Sequence, residues 1–114
     1  MQMTVHDGMS LAAALDSDGG MPGKSPEARA SATLAGLLAF LAHGHTPSTG
    51  AFRSHVARMV AFLKSLRGLD TRRRQLVDRA IAAARNGHAP SGNWLELARS
   101  GGDFWQDLEK ELAG

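Results

Sequence analysis

Read for its alternation of apolar and polar positions, the chain divides into helical segments separated by glycine- and proline-rich punctuation. Ala30 to Ala42, ASATLAGLLAFLA, carries no charge, and Leu34, Leu37, Leu38 and Leu41 recur at i, i+3, i+4 and i+7, the spacing of one helical face. The other side carries Ala32, Ala35, Gly36, Ala39 and Phe40, where a surface helix normally places charge. The pattern predicts a central helix with neighbours on more than one side. Ser25 and Pro26 supply its start, one as an N-cap and the other as a first residue that needs no donor. Glu27 suits the positive end of the dipole, and Gly44 after His43 supplies the stop.

Phe52, Val56, Met59, Leu63 and Leu66 fall within a narrow helical sector, with Val60 and Phe62 on its flanks, which predicts a second helix from about Ala51 to Arg67 ended by Gly68. Arg53, Lys64 and Arg67 cluster on one side of that stripe. Asp70 or Thr71 caps a third helix running to Asn86, with Leu76, Val77, Ala80, Ile81 and Ala84 as its apolar face. The short connection between Leu66 and Thr71 predicts that helices two and three form an antiparallel hairpin. Further on, N-x-x-E at Asn93 and D-x-x-Q at Asp103 resemble capping boxes. They predict a short helix over Trp94–Ser100 and a last one over Phe104–Leu112, the two tryptophans fastening this segment to the rest. Strict alternation is absent, so the fold class is all-α: a small bundle of four to five helices over residues 25–114. Residues 1–24, punctuated by Gly8, Gly19, Gly20, Pro22 and Gly23, read as a mobile acidic N-terminal tail with one short helical turn over Leu11–Leu15.

Length and composition narrow the function classes. A chain of 114 residues without cysteine has neither a disulfide framework nor thiolate chemistry. The longest apolar run falls short of the roughly 18 residues of a membrane span. No basic stretch followed by an apolar one opens the chain, so no secretory leader is expected and the expected location is cytoplasmic. The net charge of +2 conceals a segregation: four acids and one lysine between Met1 and Glu27, nine cations against two aspartates between Phe52 and Arg85, and five acids against two cations from Asn86 onward. A basic middle lies between acidic ends.

Arg72, Arg73 and Arg74 sit in the first turn of the third helix, where the dipole favours negative charge. A broken local rule marks a candidate site, and three guanidinium groups suit a phosphate, a nucleic-acid backbone or the carboxylates of a partner. Two other readings compete: the arginines are simply solvated, or they pair with Asp107, Glu109 and Glu111 on the chain's own last helix. A DNA-reading helix-turn-helix would place these arginines and Gln75 at the start of a recognition helix. A second helix of about seventeen residues is long for that motif, and the acidic ends repel phosphate. His43, His45, His55 and His88 lack the convergent spacing and nearby carboxylates of a zinc site. Ser54 and His55 are neighbours that face different ways on a helix, and no phosphate loop or nucleophile motif is present.

No catalytic residues, cofactor, metal or membrane contact are therefore expected. The expectation is a non-enzymatic interaction protein that binds a protein partner or itself. The surface expected to do so is the basic hairpin 52–85, through Arg72, Arg73, Arg74, Arg53, Lys64 and Arg67, with Phe40 and Phe62 as an adjoining apolar surface. The alternative is a nucleic-acid-binding protein that uses the same arginines and the Arg53/Lys64/Arg67 side.

Overall fold

Residues 13, 15–42, 45–46, 48–86 and 104–113 are described by the structure, a computed structural model. Among them the chain forms four helices and no strand: α1 (Pro26–Ala42), α2 (Arg53–Ser65), α3 (Thr71–Arg85) and α4 (Phe104–Ala113). The all-α bundle expected from periodicity is the architecture observed. No helix among the described residues is long and apolar enough to cross a membrane.

The α1 helix starts as its sequence dictates. Ser25 Oγ accepts from the Ala28 amide at 3.1 Å, and Ser25 O takes the Arg29 amide at 2.9 Å, so Pro26 stands where a missing donor costs nothing. At the far end the His45 amide donates to Phe40 O at 3.0 Å, the six-to-one closure of a capped C-terminus; Gly44 itself lies outside the described residues. The six consecutive residues Thr33 to Leu38 are all buried. At 100° per residue they pass right round the helix, so α1 is enclosed at that level. The α1 helix packs against both α2 and α3, and α3 packs against α4. Leu34, Leu37, Leu38, Val56, Met59, Leu63, Val77, Ala80 and Leu108 form the centre of the core.

Helix α2 is shorter than its periodicity predicts, at both ends. Its start is delayed by a turn at Gly50, which has φ +90°, with the loop before it closed by the Thr46 amide on Thr49 O at 2.9 Å and by paired Thr46 and Thr49 hydroxyls. At its end Leu66 turns extended (ψ 131°), because its side chain packs, half-buried, on the core. Gly68 then takes φ +93°, and a β-carbon there would press on Pro26 Cγ at 3.2 Å. Asp70 precedes α3 in extended conformation, but its carboxylate makes no capping bond to the first-turn amides.

Within the stretch expected to be a tail, Leu15–Met21 lie against the bundle. Leu15 and Met21 pack against the core, Gly19 and Gly20 are buried, and the Met21 amide donates to Thr33 Oγ1 at 2.9 Å. Thr33 is wholly buried and satisfied twice, since its hydroxyl also donates to Arg29 O at 2.6 Å. Glycine-rich composition reads as a linker, yet here it lets backbone lie flat on α2. Of the expected Leu11–Leu15 turn, Ala13 is helical and Leu15 is not. The remainder of that turn and the Trp94–Ser100 helix lie outside the described residues.

Candidate interaction surface

The arginine cluster opening α3 is held by the protein itself. Arg72 Nε reaches Glu109 Oε2 on α4 at 3.1 Å. Arg73 Nη1 lies 3.0 Å from Asp70 Oδ1 and 3.9 Å from Glu27 Oε1, and its guanidinium carbon stands 5.6 Å from the centre of the Trp105 ring. Arg74 donates to Leu66 O at 3.0 Å and to Leu63 O at 2.7 Å, with Asp78 Oδ1 3.4 Å away. Three cations at the positive end of a helix dipole are unfavourable in isolation. Each is compensated by a different group: a carboxylate of α4, the Asp70 carboxylate plus an aromatic face, and the unsatisfied last carbonyls of α2. The hydrogen bond from Arg73 holds the Asp70 carboxyl below its ordinary pKa, so Asp70 serves the guanidinium instead of the helix amides.

The expected apolar surface is not exposed. Phe40 is fully buried and Phe62 is 4% exposed, which corrects the expectation that these rings face a partner. Phe40 closes against Phe52 at 5.2 Å between ring centres and against His45 at 5.9 Å. Phe62 is covered by the Arg29 guanidinium, 4.6 Å above its ring, and by Gly20, where a β-carbon would stand 2.6 Å from ring atoms. Positions that looked surplus on a helical wheel are used because α1 is enclosed all round and Leu15–Met21 covers α2.

Of the histidines, His45 and His55 pack on the ring of Phe52 at 5.1 and 6.0 Å; His43 and His88 lie outside the described residues. No group of three or more His, Cys, Asp or Glu side chains able to hold a metal occurs among the described residues.

What the hairpin still presents outward is a second set of cations. Arg53, Lys64, Arg67, Arg79 and Arg85 are exposed; Arg53 donates back to Gly50 O at 3.2 Å. Lys64, Arg67, Arg79 and Arg85 make no ion pair among the described residues. Lys64 and Arg85 border a shallow groove of about 300 Å³ with Asp78, Ile81, Ala82 and Asn86. On the other side of Asp78, Arg79 shares a groove of about 370 Å³ with Arg72, Gln75, Leu76 and Glu109. Lys64 and Arg67 belong to the cations expected from the sequence to face a partner, whereas Arg79 and Arg85 do not. Both lie in the exposed register of α3, where Arg72, Gln75, Arg79, Ala82 and Arg85 recur at helical spacing. No protein-family model, curated protein or solved structure matches this chain.

Proposed function

We propose that this protein is a non-enzymatic interaction module that binds an acidic protein partner through the outward cations of α2 and α3, namely Lys64, Arg79 and Arg85, with Arg67 adding charge just after α2 and Arg53 at its start. The observation that carries this reading is the division of labour among the cations: Arg72, Arg73 and Arg74 have internal partners, whereas Lys64, Arg79 and Arg85 stand exposed around two grooves that meet at Asp78. Unpaired surface cations with small or polar neighbours steer and orient an oppositely charged partner. Nucleic acid is the weaker reading, because two of its three key arginines, Arg73 and Arg74, are half-buried and turned to internal groups.

The test uses two polyanions on the full chain, poly-L-glutamate and a short DNA duplex, each across a salt series. Binding of poly-glutamate that is lost in Arg79→Glu/Arg85→Glu, with weaker retention of duplex, is the expected result. Tighter duplex binding with a steep salt slope moves the protein to the nucleic-acid class. No retention of either at low salt removes both readings.

A further inference from the structure

We propose that Asp16–Met21 is a charge-held strap that opens independently of the helical bundle and, in opening, uncovers the Phe62 face of α2. The strap begins with a tight turn: the Gly19 amide donates to Asp16 O at 2.9 Å, the Asp16 amide to Gly20 O at 2.8 Å, and the Gly20 amide to Asp18 Oδ1 at 3.0 Å. Two arginines from different helices grip it. Arg29 on α1 lies 3.1 Å from Asp16 Oδ2 and 2.8 Å from Asp18 Oδ1, and its Nε donates to Met21 O at 3.2 Å. Arg58 on α2 donates to Asp16 O and Ser17 O at 3.3 and 3.2 Å.

The kinds of contact explain why this element opens alone. Its apolar anchors, Leu15 and Met21, are only half-buried, so little hydrophobic area opposes release. Its strongest contacts are ion pairs whose carboxylate side chains are 50% and 48% exposed, where salt screens them. The bundle beneath is held by wholly buried leucines on α1, and elements with few buried apolar contacts open at lower free energy than the global fold. Closure depends on shape as well as charge. Gly20 lies so close to Phe62 that a β-carbon would stand 2.6 Å from the ring, and a β-carbon on Gly19 would stand 2.6 Å from Arg58 O. The seat under the strap therefore combines two guanidinium groups, a buried hydroxyl and an aromatic ring, and it accepts an acidic turn built on glycine.

The charged groups facing one another here are Asp16 and Asp18 on the strap, Arg29 on α1 and Arg58 on α2. The Asp18 carboxyl is held below its ordinary pKa by its hydrogen bond from Arg29, consistent with a grip made by charge.

Hydrogen exchange is followed at the Met21 amide, bonded to Thr33 Oγ1, and at the Leu37 amide inside α1, at constant pH. Raising NaCl from about 50 mM to about 1 M, which shortens the screening length to roughly 3 Å, is expected to speed Met21 exchange about tenfold while Leu37 is unchanged. Gly20→Val, a steric wedge that alters no charge, is expected to give the fast Met21 rate at both salt concentrations. Arg29→Gln is expected to do the same by removing the grip. Met21 exchanging in step with Leu37 at every salt concentration overturns the proposal, because the strap then opens only with global unfolding. Met21 unprotected even at low salt overturns it too, because nothing is then held. The salt series on the unsubstituted chain decides between these outcomes even if a variant fails to fold.

Discussion

The two ends of α3 use the same residue in opposite ways. At its start Arg72, Arg73 and Arg74 bond to α4, to Asp70 and to the end of α2, whereas further along Arg79 and Arg85 stand exposed without an ion pair among the described residues. Where charge is densest in the sequence, the guanidinium groups meet partners within the chain. A cation set against a helix dipole must find compensation to be tolerated, and in a chain this small the nearest compensation is its own. The isolated cations downstream meet no such demand, and they stay exposed, which is why the proposed binding surface is placed on them.

Removing Arg74 is expected to break the comparison most severely. Its guanidinium is the donor for the carbonyls of Leu63 and Leu66, both at the unravelling end of α2 where backbone acceptors have no helical donor. Arg74→Ala should destabilise the fold by roughly 1.5–3 kcal/mol, the range for hydrogen bonds that involve a charged group, measured as a fall in the urea midpoint. Lysine at this position, with a single ammonium in place of a fork, should recover part of the loss. A change indistinguishable from that of Arg79→Ala would show that the two ends of α3 are alike after all.

Arg73→Ala comes next, at about 0.5–1 kcal/mol from the lost contact with the Trp105 face. It carries a pH signature as well. Asp70 has its folded pKa lowered by Arg73, so its contribution is present above the ordinary carboxylate range. That contribution is lost as pH falls through that range toward the folded value. In Arg73→Ala the folded and unfolded values converge, and this part of the acid limb of stability should flatten. Urea titrations between about pH 2 and pH 6 would reveal it.

How much of this was legible in the sequence depended on the range of the interactions. The α1 helix could be read because its determinants are local: a capping serine, a first-turn proline and leucines at helical spacing. Its enclosure also followed, since a charge-free back needs cover. The pairing of the arginines with the acidic last helix was foreseeable as one of two options from charge segregation, and Arg72 with Glu109 realises it. The early stop of α2 was not legible, because Leu66 leaves the helix to pack on the core and Arg74 arrives from the next helix to take the freed carbonyls. Nor was the seating of Leu15–Met21. It depends on Arg29, Thr33 and Arg58 converging from two helices, and composition alone reads D-S-D-G-G as a linker. Phe62 looked surplus for the same reason: its cover comes from a segment more than forty residues earlier.

Arg79 and Arg85 supply the smallest effect on stability and the sharpest test of the comparison. Neither side chain takes part in an ion pair among the described residues, both are exposed, and each lies on the rim of a groove. Arg79→Ala and Arg85→Ala should therefore each leave stability within about 0.5 kcal/mol of the unsubstituted chain, as surface substitutions away from capping, core or buried polar features do. Arginine also covers apolar surface with its stem, and Ile81 beside Arg85 is the one buried aliphatic residue of that groove. A loss above about 1 kcal/mol in Arg85→Ala alone would mean that the stem protects Ile81. Arg85 would then belong with Arg72, Arg73 and Arg74 as a structural residue. Stability unchanged in both variants, measured beside a weakened hold on poly-glutamate, would separate the two ends of α3 by role as well as by contacts, with Arg72, Arg73 and Arg74 building the fold and Arg79 and Arg85 binding the polyanion.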